Sequence, residues 1–268
     1  MLSRSKSARM RTKAPVAPGT LFKRRINSCR RGSAAVAKAV DPQTGRPILD
    51  LIVAAAGQKG TGRWTAIEAQ HLAAPIPAIE AAIVARNLSS RRDERAAGEK
   101  LFGAAPHRIP HDTLTLDQLE QAMIAGKILC YAQGFAMISA ASDQFGWALP
   151  LPDIARVWRA GCIIRSVMLD DMATELAQSS TRNLMLAPKF STQLFATHGA
   201  LRQTVATGAL HGIAMHALSS GLSYFDAMRT ETGTANMIQG QRDFFGRHGF
   251  ARRDRPGGDH HGPWDDES

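Results

Sequence analysis

A glycine-rich segment at residues 57–62 has the residue types that bind anions. Its three glycines let the backbone approach a ligand closely, Lys59 supplies a positive charge and Thr61 supplies a hydroxyl donor. A helix follows, and the N-terminus of a helix attracts negative charge. The residue order is not that of a Walker loop, and no Rossmann fingerprint precedes it. The segment therefore predicts either a phosphate-binding loop or a glycine linker ahead of a helix.

Three arginines in apolar surroundings need partners, because burying an unpaired guanidinium is costly. Arg86 follows an apolar stretch, so we expect it to pair with Glu80 or Asp93, or else to face an anionic ligand. The same question applies to Arg159 and Arg165, for which we predict structural pairing.

Arg242 and His248 are a further pair that could hold an anion. They lie six residues apart near the end of the last predicted helix. Arginine suits bidentate phosphate recognition, and histidine adds a second donor. Cations are favoured at the C-terminus of any helix, so the pair is also compatible with a purely structural role.

Two other groups of reactive residues are interpreted as structural or solvated. The tail segment 259–261 (Asp-His-His), with Asp265 and Asp266, could bind a divalent cation, but such residues in a polar tail are usually solvated, and we predict no metal site. Cys130 and Cys162 lie in apolar helical segments, where cysteine behaves as a small hydrophobic residue. The chain also contains neither a GxSxG nor an HExxH motif, so we assign it no catalytic residue.

The elements that must position these residues are predicted to be helices throughout, which gives an all-α fold. Capping boxes at residues 65–68 and 115–118 open two helices, and residues 76–100 also have a helical pattern. Asp153 is predicted to cap a helix whose apolar stripe continues to Leu176. Three more helices are predicted at residues 192–208, 217–229 and 234–247. No strand alternation bounded by hairpin turns is present.

The positive charge of the chain is concentrated at its N-terminus. Residues 1–40 hold eleven Lys or Arg and no acidic residue, so with a net charge of +10 the remainder carries −1. A neutral globular part argues against nucleic acid as a partner. We therefore divide the chain into a disordered basic leader (1–40), a helical domain (41–250) and an extended tail (251–268).

The expected location is the cytoplasm. Mean hydropathy is −0.18, and no uninterrupted apolar run approaches the roughly 18 residues of a membrane span, so we do not expect a membrane protein. Three scattered cysteines favour a reducing compartment. The leader is rich in Arg and Ser and free of acids, which leaves an organellar transit peptide as an alternative.

These segments, in this order, resemble the C-terminal all-helical domain of the 6-phosphogluconate dehydrogenase family in its longer, dimeric form. The resemblance runs from about Asp41 to the C-terminus. It rests on the strings GQKGTGRWT (57–65), ARNLSS (85–90), YAQGF (131–135), WRAGCIIRS (158–166) and ANMIQGQRDFFG (235–246).

The resemblance implies oxidative decarboxylation of 6-phospho-D-gluconate to ribulose 5-phosphate with NADP⁺, a step of the pentose phosphate pathway. From their positions in the matching strings, Lys59, Thr61 and Arg86 are implied to contact the substrate's phosphate and sugar. Arg242 and His248 are implied to reach into the site of a neighbouring subunit. The expected partners are therefore 6-phosphogluconate, or inorganic phosphate in its place, and a second copy of the chain in a homodimer.

Two parts of the family pattern have no counterpart in the sequence: the NADP-binding domain, and the lysine–glutamate acid/base pair that follows it. We therefore interpret residues 1–40 as foreign to the fold and the rest as the substrate-binding and dimerisation half. One alternative is a truncated, non-catalytic remnant that dimerises and binds a sugar phosphate. Another is half of a split enzyme, with a separate NADP-binding polypeptide. In each case we expect the chain alone not to reduce NADP⁺, since it has no dinucleotide fold.

Overall fold

The computed structural model describes residues 35–57, 59–106, 108–161, 164, 166–178 and 183–264. This part of the chain is built from helices, with two isolated bridges and no strand, which confirms the all-α fold. Residues 35–38 are helical. From residue 48 onward the helices are, in chain order, α1 Ile48–Leu51, α2 Thr61–His71, α3 Pro77–Ser90, α4 Arg92–Phe102, α5 Leu116–Phe145, α6 Leu151–Gly161, α7 Met168–Gln178, a 3₁₀ turn Leu184–Leu186, α8 Pro188–Leu210, α9 His216–Met228 and α10 Ala235–Gly246.

Helix α5 is the centre of the core. It packs most extensively against α8 and also contacts α9, α3 and α6. The fully buried side chains that join these helices include Ile128, Leu129 and Phe135 of α5 with Phe190, Leu194 and Leu201 of α8. Burying such side chains contributes on the order of 1.5–3 kcal/mol each, so this contact is the main source of stability in the helical body.

The same helix is long and apolar enough to cross a membrane on length and composition alone. Its most apolar 18-residue window has a mean hydropathy of 1.3, a feature that counting uninterrupted apolar runs did not detect. In the structure 61% of that window is buried inside the protein. Its apolar surface is therefore covered mainly by neighbouring helices.

The predicted capping box at Thr115 is confirmed. The Gln118 amide donates to the Thr115 hydroxyl oxygen (3.1 Å), and the Thr115 amide donates back to the Gln118 side chain (2.8 Å). The helix ends at Gly146, which has a left-handed φ of 65°.

The predicted capping box at Thr65 is wrong. Helix α2 already begins at Thr61, and the Thr65 hydroxyl donates to the Thr61 carbonyl (2.9 Å) inside the helix. The segment 76–100 is also not one helix, since α3 and α4 are separated at Arg91. Ser89 and Ser90 explain this break, because their hydroxyls bond back to carbonyls three residues earlier and compete with the helical pattern (2.7 Å each).

The helix predicted from Asp153 to Leu176 is two helices, α6 and α7. Asp153 lies in the first turn of α6 and pairs with Arg156. The Tyr131 hydroxyl donates to the carbonyl of Ile164, between the two helices, and so occupies a group that a continuous helix would use. Val157, which belongs to the predicted apolar stripe, is 67% exposed.

The other predicted helices and pairings agree more closely. Helices α8, α9 and α10 correspond to the segments predicted at 192–208, 217–229 and 234–247, and α8 starts earlier, at Pro188. Arg159 forms the expected structural pair, with Asp170 of α7 (Nε to Oδ2, 2.9 Å). Arg165 and Cys162 lie outside the described residues.

Most of the predicted leader, residues 1–34, lies outside the described residues. Its last residues contact the domain, since the Ile48 amide donates to the Ala39 carbonyl (2.9 Å) and Val40 forms a bridge with Pro47. At the other end, residues 247–264 contain no helix. Phe250 and His260 pair across an antiparallel bridge, so this part of the tail folds back on itself.

A buried amide fixes α3 against α5. Pro77 is the first residue of α3 and has no N–H, and no side chain of α3 caps its start. The Ala78 amide instead donates to Oε1 of Gln133, a fully buried side chain of α5 (3.0 Å). Gln133 therefore supplies from another helix the acceptor that the start of α3 lacks.

We expect Gln133→Leu to lower the free energy of unfolding by about 1 kcal/mol. The substitution leaves the buried Ala78 amide without an acceptor, and this cost is partly offset because it also removes Nε2 of Gln133, a buried atom with no hydrogen-bond partner among the described residues. Urea denaturation followed by circular dichroism measures this change. The matched control is Gln203→Leu on the exposed side of α8, for which we expect a change within about 0.5 kcal/mol. Equal stability of the two variants would contradict the assignment.

Candidate anion-binding site

The glycine-rich segment forms the uncapped start of α2. Gly60 is the residue before the helix and has φ 100°, a conformation that favours glycine. The first helical hydrogen bond runs from the Trp64 amide to the Gly60 carbonyl (3.0 Å), so the amides of residues 61–63 have no acceptor within the helix. Because Gly60 has no side chain to cap them, these amides can bind an anion from outside.

Helices α3 and α4 hold the loop that leads to Gly60. The Arg86 guanidinium donates to the Gly57 carbonyl, and the Ala56 amide donates to the Ser89 hydroxyl oxygen (2.9 Å). Arg95 of α4 donates to the Ala54 carbonyl (3.1 Å). Side chains of two helices therefore help to fix the loop, in addition to the bond from the Ala55 amide to the Val53 carbonyl (2.7 Å) within it.

The structure corrects the carboxylate partners predicted for Arg86. Its described hydrogen bond goes to the Gly57 carbonyl, while Glu80 accepts a bond from Gln70 (2.8 Å). A carbonyl does not neutralise the guanidinium, and Arg86 is exposed, so its positive charge stays available beside the loop.

Lys59 and Thr61 are also exposed, and they lie on the loop that Arg86 contacts. Two cations, a hydroxyl and the start of a helix are thus present at one corner of the protein. Such a corner suits a phosphate group, which accepts several charge-assisted hydrogen bonds at once. Gln58, within this loop, lies outside the described residues.

Arg242 and His248 form a second cluster at the end of α10. Both line a cleft of about 330 Å³ together with Ile238, Gln241, Phe245 and Gly246. Arg242 donates from Nη1 to the side-chain oxygen of Gln239 (3.0 Å) and is exposed.

The described structure does not join the two clusters into one site. Helix α10 is not among the helices that pack extensively against α2 or α3. In the described structure Lys59, Thr61 and Arg86 therefore lie at one corner, and Arg242 and His248 lie at another.

Asp243, which the sequence analysis did not single out, is the most connected polar residue near the second cluster. Its carboxylate is fully buried and accepts four hydrogen bonds, two at each oxygen. Oδ1 accepts from the Gly249 amide (2.9 Å) and faces Nδ1 of His261 (2.7 Å). Oδ2 accepts from the Gly262 amide (2.8 Å) and the Trp264 indole (2.6 Å).

These contacts determine the charge of Asp243. Burial by itself raises the pKa of this carboxyl, but the bonds from Gly262, His261, Trp264 and Gly249 stabilise the ionised form more strongly. The net result is a pKa well below the usual range for an aspartate. Asp243 is thus an anion that holds the tail against α10.

The two tail histidines have structural partners in place of a metal. His261 bonds to Asp243, and Nε2 of His260 lies 3.2 Å from the carbonyl oxygens of Arg255 and Gly257. Within the described residues no group of three or more His, Cys, Asp or Glu side chains could hold a metal ion.

The described residues form an all-helical domain whose exposed cations and uncapped helix start have the chemistry that suits an anion. The sequence model of the family described as "6-phosphogluconate dehydrogenase, C-terminal domain" matches residues 31–264, and the chain belongs to this family. The match begins ten residues before Asp41, where the sequence analysis placed the start of the domain.

Several relatives are named as 6-phosphogluconate dehydrogenases. The chain is 41% identical over 221 residues to 6-phosphogluconate dehydrogenase, decarboxylating, of Synechocystis, covering 82% of this chain and 46% of that protein. It is 38% identical to the NAD⁺-dependent and 37% identical to the NADP⁺-dependent decarboxylating enzymes of Bacillus subtilis, covering 84% and 81% of this chain and 49% and 47% of theirs. The chain thus spans about half the length of the relatives it matches.

The fold is also that of a solved structure. Plasmodium falciparum 6-phosphogluconate dehydrogenase, described in its apo form and in complex with NADP⁺ and with 6-phosphogluconate, superposes with a TM-score of 0.83 at 33% identity. The superposition covers 91% of this chain and 54% of that one.

We expect acid to release the tail from Asp243. A carboxylate with a depressed pKa stabilises the folded state fully above the ordinary aspartate value near 4, and this contribution is lost as the pH falls through the folded pKa. Trp264 emission, obtained by subtracting the spectrum of a Trp264→Phe variant, should therefore stay native at pH 4 and change only in stronger acid. A midpoint at or above pH 4 would contradict the depressed pKa.

Proposed function

We propose that this chain serves the oxidative decarboxylation of 6-phosphogluconate to ribulose 5-phosphate in the cytoplasm, and that it supplies the substrate-binding and dimer-forming half of the enzyme. Membership of the family supports the reaction class. The relatives' names supply the substrate and the decarboxylation.

The observation that carries the proposal is the uncapped start of α2 beside two exposed cations. The phosphate of the substrate would accept from the amides of residues 61–63 and from the Thr61 hydroxyl, with Lys59 and Arg86 balancing its charge. Arg86 also holds the Gly57 carbonyl, so its position is fixed before the ligand arrives. Preorganised donors bind more tightly because less side-chain freedom is lost on binding.

Arg242 and His248 are proposed to act on the site of a second subunit. Arg242 lies on α10 and His248 follows it, at the cleft beside Phe245, and α10 packs little against the other helices of the described structure. A group in this position is free to reach a neighbouring molecule. The proposed site is therefore complete only in a homodimer.

The cofactor proposed is NADP⁺, and the described residues do not fit it. They form helices and two isolated bridges, with no parallel sheet and no glycine-rich turn after a strand of the kind that binds a dinucleotide. Relatives that use NAD⁺ and relatives that use NADP⁺ match this half about equally well, so it does not determine the choice between them. The role we assign to the described residues is to hold the substrate.

Calorimetric titration with 6-phosphogluconate and with inorganic phosphate tests the site. We expect Lys59→Ala or Arg86→Ala to weaken binding of either ligand by about tenfold or more, because each removes a charge-assisted contact. The matched control is Arg156→Ala, an exposed arginine that is ion-paired with Asp153 on α6. The proposal fails if the wild-type chain binds neither ligand, or if all three variants bind equally well.

Light scattering tests the assembly. Helix α10 exposes 83% of Phe245 and 65% of Met237, which is unusual for a helix that stays in water. We expect a homodimer, whose interface would bury more than about 2,000 Å², and we expect Phe245→Asp to give monomers. Phe102→Asp changes an equally exposed aromatic residue on α4 and should leave the dimer intact. A stable folded wild-type monomer at micromolar concentration would contradict the proposal.

A further inference from the structure

We propose that Asp243 is the positioning residue of the Arg242–His248 cleft, so that the buried carboxylate sets where the two anion-binding side chains point. This inference rests on the proposed function for the role of Arg242 and His248. Its geometric part concerns the protein without ligand.

The first argument is the path of the chain around His248. The backbone carbonyl of Asp243 accepts from the Arg247 amide (2.7 Å), and its side-chain Oδ1 accepts from the Gly249 amide (2.9 Å). One residue therefore binds the chain immediately before and immediately after His248. Both of these neighbours have left-handed backbones, with φ 47° at Arg247 and 73° at Gly249.

The second argument is the cost of that turn. A left-handed conformation is unfavourable for a residue with a side chain and persists only where surrounding contacts enforce it. The bond from the Arg247 amide to the Asp243 backbone carbonyl and the bond from the Gly249 amide to the Asp243 carboxylate are such contacts, and the second depends on the side chain. Without them the turn would relax, and His248 would leave its position over Gly246, whose backbone lies so close to the imidazole that an added Cβ would be 2.9 Å from it.

The third argument is the number of hydrogen bonds that the carboxylate accepts. Asp243 uses both oxygens, and all four partners approach as hydrogen-bond donors or as a histidine nitrogen. Asparagine has the same shape but replaces one oxygen with an NH₂ group. At the Oδ2 position this group would meet two obligate donors, whereas at the Oδ1 position His261 can accept from it, so it takes the Oδ1 position and the bond from the Gly249 amide is lost. Asp243→Asn therefore disturbs the turn while keeping the side-chain volume.

The fourth argument is adjacency. Arg242 precedes Asp243 in α10, so the two side chains project in directions about 100° apart, one outward into the cleft and one inward to the tail. The four hydrogen bonds to the Asp243 carboxylate fix the rotation of the last turn of α10. The direction of Arg242 is set by the same contacts.

The test compares Asp243→Asn with Asp254→Asn, a matched change at an exposed tail aspartate that is paired with Arg252. In the ligand-free protein, the imidazole proton resonance of His248, assigned with a His248→Gln variant, should shift or broaden in Asp243→Asn and stay in place in Asp254→Asn. An unchanged His248 resonance in Asp243→Asn would overturn the proposal. In Asp243→Asn the His261 resonance is expected to move whether or not His248 moves, because the His261 ring contacts Asp243 directly.

The second readout is affinity for 6-phosphogluconate at neutral pH. We expect Asp243→Asn to weaken binding by about tenfold and Asp254→Asn by less than about twofold. In a His248→Ala background the effect of Asp243→Asn should shrink, because part of the effect of Asp243 on binding depends on the position of the His248 side chain. Fully additive losses would show that Asp243 acts only on stability and would overturn the proposal.

The two readouts separate this inference from the proposed function. If the wild-type chain does not bind 6-phosphogluconate, the proposed function fails while the His248 resonance still decides whether Asp243 positions the cleft. Helicity from circular dichroism should be nearly unchanged in Asp243→Asn, since the large helical body does not depend on this residue. A global loss of helix would mean that the carboxylate supports the whole fold, which would also contradict a local positioning role.

Discussion

The Gln133 side chain joins the core of the protein to the helix that builds the anion-binding corner. Its buried oxygen accepts from Ala78 at the start of α3, and Arg86 and Ser89 lie further along the same helix, where they hold the chain at Gly57. Eight residues of helix separate Ala78 from Arg86, a distance of about 12 Å. A small change in the direction of α3 is therefore enough to move Arg86, and the Gly57 carbonyl that it holds, relative to the start of α2.

Three helix starts show how the fold treats amides that lack an acceptor. Helix α5 caps its start through Thr115 and Gln118, which are three residues apart in the sequence. Helix α3 begins inside the protein, where an unsatisfied amide would be costly, and receives an acceptor from α5. Helix α2 begins at Gly60 with no side-chain cap, at a place open to solvent. Of these three starts, the last one leaves amides that a ligand can reach, and it does so beside Lys59 and Arg86.

The sequence predicted most elements because helical periodicity and local capping act over a few residues. It was right at Thr115, where both partners of the box lie within one turn. It was wrong at Thr65, because the same residue pattern inside a helix lets the hydroxyl bond to the preceding turn. It also missed the interruption at Ile164, which depends on Tyr131, a partner 33 residues earlier.

In the candidate site, too, local features could be predicted from the sequence and contacts between distant residues could not. Lys59, Thr61 and Arg86 were proposed from residue type and motif, but the hydrogen-bond partner of Arg86 could not be predicted, because a backbone carbonyl carries no signal in the sequence. Asp243 was missed for a related reason. Its donors are backbone amides, an indole and a histidine up to 21 residues away, and only the folded tail brings them together.

Under the proposed function, ligand binding and assembly are one equilibrium. Arg242 and His248 lie apart from the α2 corner of their own chain, so a phosphate that contacts both clusters must bridge two subunits. A ligand that binds only the dimer stabilises it by about 2.7 kcal/mol at a free concentration one hundred times its dissociation constant. The exposed face of α10 and the buried charge of Asp243 are then parts of the same arrangement: the first brings the neighbouring subunit close, and the second keeps the arriving side chains in the direction that the bound anion requires.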